Sequence, residues 1–425
     1  MKFLKLENYE GIMSIRVFYS LIICVSFYVD KQQLAVADSN IMSLEDFQKV
    51  VSQSEVMSAE VMLEAEAKRA LAIETNALKN PTLRAEGSAA TQAEKGADKD
   101  QVLVSLEQPL RISDFGARGE VSELLDARSI NEKKLSQLKL KEQVRIAYAE
   151  LWSVQARKKI TAHALERAKR KLSVVKNAVS QGLLSKGDEL LFQGEASRLA
   201  SEALGIESEE GILFAQMASE FGFEGERFLT IAPKIESILP LEDLIAKANK
   251  HPLSELSLFQ TEEAIAKAQH RVSELDGASE VSPSIIYERT NDGGDFLGAG
   301  LSVSLPIWDR NQAEQVRSLS TLKRAKARSH HLVSGGFQSK VRGLWKGAKD
   351  AIEQTALYEN SVVPAFSQTL ELQEQQYQKG QTNILQVWQS HRALQEAEEQ
   401  AIERRLSAVR AISELSVVVG FESLE

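Results

Sequence analysis

At 425 residues the chain is long enough for two or three ordinary domains, yet it has only eight prolines, 6% aromatic and 43% hydrophobic residues. So lean and charged a composition suits long helices better than a thick globular core. The formal charge of -9, with no lysine or arginine cluster interleaved with aromatics, argues against nucleic acid as a partner.

The N-terminus reads as an export signal, residues 1–37, with Met13 as its natural start. Met13-Ser14-Ile15-Arg16 precedes an apolar core from Val17 to Val29, and the small residues Ala35 and Ala37 before Asp38 suit a signal peptidase. That core is too short to span a bilayer. The one cysteine, Cys24, lies inside the signal, so cleavage leaves a chain without thiols; Leu21-Ile22-Ile23-Cys24 only faintly resembles a lipidation site. After residue 38 no apolar run is long enough for a membrane-spanning helix.

Residues 38–223 form a first unit. A helical pattern runs from Leu44 to Asn80, with Ser43 as cap and Asn80-Pro81 as stop, roughly 55 Å at 1.5 Å per residue. The period then changes to two, which predicts a β-hairpin over 80–109 around a polar tip at 94–100. From 111 to 180 there is no proline, so one helix of roughly 100 Å is expected. Its seam of threes and fours reads Val144, Ala147, Leu151, Val154, Lys158, Thr161, Leu165, Ala168, Leu172, Val175, Val179, all apolar but Lys158 and Thr161, a coiled-coil pattern. Gln181-Gly182-Leu183-Leu184-Ser185 reverses the chain, and a second helix runs to Phe221 before Gly222.

After a linker over 224–239 the plan recurs in 240–425: a helix, a hairpin over 283–306, a long helix over 309–379, a turn at Gly380 and a last helix. Landmarks such as Pro109 and Pro306, or Gly182 and Gly380, match at offsets of about 197 to 202 residues, which reads as an internal duplication. Moving the first seam by 198 places a second seam on Arg342, Trp345, Lys349, Ile352, Ala356 and onward, with Gly335-Gly336 and Pro364 bending the arm. In the second hairpin Leu297, Ala299, Leu301, Val303 and Leu305 alternate with Gly298, Gly300, Ser302 and Ser304, the pattern of a barrel strand with lipid outside and water inside. An ordinary half-buried sheet gives the same alternation. Four strands cannot close a barrel, so copies of the chain must combine.

Catalytic signatures are missing. There is no phosphate loop, paired-histidine zinc helix or nucleophile elbow, and the adjacent His330 and His331 diverge by about 100° on a helix. No enzyme activity and no cofactor or metal site are expected. Trp152, Trp345 and Trp388 read as packing residues.

Several segments resemble the TolC-like outer-membrane factors: Asn80-Pro81-Thr82-Leu83, Leu301-Ser302-Val303-Ser304-Leu305-Pro306-Ile307-Trp308-Asp309, and Tyr377 to Val387 around the second turn. The resemblance covers about residues 43 to 422. It implies a mainly α fold, a long α-helical barrel of coiled-coil helices joined to a transmembrane β-barrel to which each protomer of a homotrimer gives four strands. It further implies an outer-membrane exit duct with its helices in the periplasm, met by a periplasmic adaptor of an RND-type inner-membrane pump. The Ala147-Tyr148-Ala149-Glu150-Leu151-Trp152 segment looks most like the cobalt-zinc-cadmium efflux branch.

On that resemblance the adaptor-docking tips are Gly182, Leu183, Leu184, Ser185 and Gly380, Gln381, Thr382, Asn383. A periplasmic constriction falls at Gln386 and Gln389, uncharged where some members carry carboxylates. Asp188 and Glu189 supply negative charge nearby, or simply cap a helix start. Type I protein secretion or multidrug efflux would use the same architecture, and a periplasmic coiled-coil adaptor without a pore is the reading from another class.

Overall fold

Several helix ends carry a capping side chain or a left-handed glycine, and those ends fix where the candidate surfaces lie. The computed structural model describes residues 41–88, 101–112, 116–223, 227–290, 294–422 and 424. The export signal with Cys24, the hairpin tip 94–100 and residues 224–226 of the linker lie outside the described residues. Of the N-terminal unit, Met1–Ile41, only Ile41 is described.

Helix α1 (Leu44–Ser52) begins at Ser43, whose hydroxyl accepts from the Asp46 backbone N–H, and α2 spans Glu55–Asn76. The single helix expected from Leu44 to Asn80 is therefore corrected twice. At Ser54 the backbone turns extended and the hydroxyl donates to the Gly222 carbonyl at 3.3 Å, a local alternative to continuing the helix. At the other end Ala77 is already extended, so the helix stops short of Asn80-Pro81.

Strands β1 (Thr82–Ser88) and β2 (Gln101–Glu107) follow, then α3 (Ala117–Ser180). Its 64 residues span about 96 Å. Gly116 before it and Gly182 after it both have positive φ, +86° and +74°, which glycine adopts without steric cost. Helix α4 (Lys186–Phe221) starts at Ser185 and ends at Gly222; α5 (Leu241–Ala248) and α6 (Glu255–Leu275) lead to β3 (Val281–Thr290) and β4 (Asp295–Val303). Leu305 thus lies beyond the strand that was expected to hold it.

The second arm comes in three helices, α7 (Gln312–His331), α8 (Phe337–Leu357) and α9 (Val363–Gln378), joined by wide π-type turns at Leu332–Gly336 and Tyr358–Val362. Gly335, at φ +118°, sits in the first. Pro364 follows the second and has no N–H to return to the turn before it. Helix α10 (Ile384–Val419) closes the chain.

These turns explain a misplaced seam. Besides Phe337 at its start, the fully buried positions of α8 are Val341, Ala348 and Thr355, spaced by seven. They lie one residue before the expected Arg342, Lys349 and Ala356, which are all exposed, whereas the expected Trp345 and Ile352 are half-buried against the core. A π-type turn takes in one residue more than an α-turn. Counting back from Gly380 across Tyr358–Val362 therefore lands one residue late. In α3, with no such turn, every seam position from Val144 to Val179 is buried or half-buried.

Along α3 lie α2 and α4, and also α6 and α10; α6 continues along α7, and α10 along α8 and α9. At the strand end Ala72, Val121, Leu125 and Val272 pack together. Midway, Phe47 meets Phe221, Phe223 and Phe228 at ring distances of 5.3 to 6.1 Å and packs on Tyr148 and Leu151. The Tyr148 hydroxyl donates to the Met42 carbonyl and accepts from the Ile231 N–H, both at 2.8 Å, so the segment Ala147 to Trp152 holds core and linker together.

Candidate functional site: the strand face and the two helical turns

The four long strands form one antiparallel sheet in the order β1-β2-β3-β4. In its register Leu83 pairs with Leu106, Leu106 with Ile285 and Ile285 with Ala299; two residues on, Ala85 pairs with Val104, Val104 with Tyr287 and Tyr287 with Leu297. Alternation within each strand therefore adds up across all four. One face carries Leu83, Val102, Leu106, Ile285, Leu297, Leu301 and Val303, all exposed, Leu297 to 79%.

The opposite face carries Arg84, Glu86, Glu107, Ser284, Glu288 and Ser302, interrupted by Leu103, Ile286 and Phe296. Its charges are partnered: Arg84 with Glu86, the Gln101 amide donating to Glu288, and the Ser302 hydroxyl donating to Glu107 at 2.7 Å. Gly300 belongs there because a Cβ would come within 2.6 Å of the Ser284 hydroxyl. On the apolar face the charged pair Arg289 and Asp295, 3.7 Å apart, sits at the hairpin end away from the helices. Below β4, outside the sheet, Leu305, Ile307 and Trp308 are exposed, Trp308 to 87%.

At the far end of α3 two turns of the same design meet. Gly182 N–H donates to Val179 O at 3.0 Å and Leu183 N–H to Ala178 O at 2.9 Å; Gly380 N–H donates to Tyr377 O at 3.0 Å and Gln381 N–H to Gln376 O at 2.9 Å. This double bond with a left-handed glycine is the Schellman close of a helix. Each following helix is then capped. Ser185 and Asp188 form a capping box, and the Asn383 side chain accepts from the Gln386 N–H at 2.9 Å. Val175, Phe192 and Ile384, with Leu184 and Trp388 against them, clamp the turns at one end of the bundle. Leu183 stays outside, 72% exposed.

The acids expected near a constriction have local duties. The Ser185 hydroxyl and N–H beside Asp188 hold its carboxyl below the usual carboxylate value, and Glu189 pairs with Lys186 at 2.6 Å. The Gln386 side chain accepts from the Thr382 hydroxyl, while Gln389 is exposed. Trp388 packs under the turns, the Trp345 indole donates to the Leu239 carbonyl at 2.8 Å, and the Arg405 guanidinium stands 5.7 Å over Trp152. Sequence reasoning missed the cluster of half-buried Arg167, Lys171 and His391 with the exposed Glu374 beneath the turns, since charges so far apart in the chain leave no local pattern.

No family model matches the chain, and no curated protein matches it in sequence. Solved structures do. VceC, the outer membrane protein of Vibrio cholerae, is 13% identical with a TM-score of 0.71, covering 89% of this chain and 96% of its own. The outer-membrane channel OprN is 16% identical with a TM-score of 0.72, covering 90% and 91%. CusC, whose crystal structures concern transmembrane channel formation, is 14% identical with a TM-score of 0.71, covering 89% and 92%. The fold is that of outer-membrane channels. These three match about equally well, so the likeness singles out no branch. No described helix is long and apolar enough to cross a membrane.

Proposed function

We propose that the chain is the outer-membrane exit duct of a tripartite export system, working as a homotrimer and passing solute passively. The observation that carries this reading is the sheet: one face apolar across four strands and open, continuous with helices far longer than a globular core needs. In water such a face invites association, whereas in hydrocarbon it is the stable arrangement. Four strands are too few to close and hydrocarbon tolerates no open edge, so three copies would supply a barrel of twelve. Ile307 and Trp308 then lie at the lipid boundary, where tryptophan is favoured, and the helices run into the periplasm.

In this reading the turns at Gly182 to Ser185 and Gly380 to Asn383 receive the periplasmic adaptor of an RND-type pump. Asp188, Glu189, Gln386 and Gln389 border the constriction behind them. The recurrence of helix, helix, strand pair, long arm and final helix in both halves supports an internal duplication. The cargo we favour is heavy-metal cations, on the resemblance of Ala147 to Trp152 to that branch. Tyr148 and Leu151 are buried, so this segment supports kinship and not contact with a cargo.

Two experiments test the reading. The purified full chain in planar bilayers is expected to give discrete ion-conducting steps, and a soluble, non-trimeric protein without conductance contradicts it. Deleting the gene is expected to sensitise cells to zinc, cobalt and cadmium. Sensitivity to dyes and detergents alone transfers the cargo to drugs.

A further inference from the structure

Beneath the two turns lies a cavity that neither the strand face nor the turns explain. It measures about 30 Å³, room for one water molecule or one halide ion, and is walled by Phe192, Leu199 and Trp388 and by Arg167, Lys171 and His391. Lys171 and His391 each stand eleven residues from their turn glycine, about 16 Å along a helix. Three polar atoms of the wall are shielded from solvent and make no hydrogen bond: Arg167 Nε, Lys171 Nζ and His391 Nδ1.

The charges around it are few and assignable. Glu374 of α9 accepts from His391 Nε2 at 2.9 Å, and the same oxygen stands 4.0 Å from Lys171 Nζ. Glu398 of α10 faces Arg167, Glu399 and His163, and burial raises its carboxyl above the ordinary value; Glu399 accepts from the Gln395 amide at 2.9 Å. The remaining charges of the wall are paired, Arg392 with Glu396 and Glu195 with Arg198. With Glu374 and Glu398 ionised, Lys171 and Arg167 each have a carboxylate beside them. On acidification His391 gains a proton and Glu398 loses its charge, which leaves a buried cationic excess around an open space. Such an excess calls for a counter-ion.

We propose that this cavity is a halide site, filled together with a proton on His391. The imidazole explains the coupling. Neutral His391 donates from Nε2 to Glu374 and turns a lone pair at Nδ1 to the cavity, which suits water and repels an anion. Protonated His391 donates from both nitrogens, so Nδ1–H joins the Lys171 ammonium and the Arg167 Nε–H as donors to one anion. Burial, then the charges of Lys171 and Arg167, hold His391 down to about 4, and burial holds Lys171 down to about 8. An anion between them offsets those charges, so halide raises the His391 value and the proton tightens the halide, by reciprocal linkage. Because Arg167 and Lys171 lie on α3, Glu374 on α9 and His391 on α10, filling the site ties together the helices that carry both turns.

The test uses the full chain crystallised in bromide at about pH 5 and about pH 8. An anomalous bromide peak in the cavity is expected at the lower pH and a weaker one or water at the higher. In solution bromide affinity is expected to fall about tenfold per pH unit between the bromide-free and bromide-bound His391 values, read from the histidine NMR titration in bromide against a halide-free buffer. Arg167→Gln and His391→Asn are expected to abolish the peak while the oligomer persists. Water alone in the cavity at both pH values overturns the site, whichever variants fold. Equal bromide occupancy at both pH values, or a peak that survives His391→Asn, overturns the coupling to the proton.

Discussion

Leu301 and Leu183 are exposed to nearly the same extent, 68% and 72%, yet they stand in opposite company. Leu301 lies between Ala299 and Val303 on a face that stays apolar through four strands. Leu183 projects alone from a turn, between Gly182 and the half-buried Leu184, with Gln181, Ser185 and Lys186 around it. Single exposed leucines are ordinary on a protein surface in water, but a continuous apolar sheet face is not. The contrast teaches that exposure does not name the solvent; continuity across neighbouring strands does.

The largest effect is expected where neither solvent reaches. Phe47, 0% exposed and ringed by other aromatics, should lose about 3–5 kcal/mol on substitution by alanine, read as a fall in Tm of the purified protein. Next comes the pair itself. Leu301→Arg should cost about 2–4 kcal/mol of membrane stability if the face meets hydrocarbon, whereas Leu183→Arg should leave insertion intact, as measured by membrane fractionation and urea extraction. Equal behaviour of the two would break the comparison.

Smaller effects sharpen the turn side. Gly182→Val forces a β-branched residue into the left-handed region and should cost about 1–2 kcal/mol; a Cβ there meets nothing within 4 Å, so the loss is conformational. On the proposed duct reading, export should fall with oligomer yield unchanged, whereas loss of the oligomer would give the turn a folding role. Ser185→Ala removes the cap and should cost about 1 kcal/mol, visible as faster hydrogen exchange in the first turn of α4. Since the folded-state value of Asp188 is lowered, its contribution is present above the unfolded carboxylate range and is lost as pH falls through the folded value. The cap should therefore persist at about pH 5.

Local chemistry was legible in the sequence. Ser185 does cap the helix after the first turn, Gly182 and Gly380 do adopt positive φ, and Leu297, Ala299, Leu301 and Val303 do share one face. What the sequence hid depended on partners distant along the chain. Ser54 breaks the first helix because Gly222, 168 residues away, offers its carbonyl. The second seam slipped because the wide turn at Tyr358–Val362 takes in an extra residue that no periodicity rule counts. The cavity under the turns needed α3, α4, α9 and α10 side by side before its unbonded atoms could be recognised.

The sheet face can be tested position by position. Single cysteines placed from 297 to 303 in β4 and spin-labelled in the full chain reconstituted with lipid bilayers report whether each side chain meets lipid-soluble oxygen or a water-soluble relaxer. The account predicts strict alternation, with oxygen reaching 297, 299, 301 and 303 and the polar relaxer reaching 298, 300 and 302. Uniform water access along the strand, or the opposite phase, would contradict it.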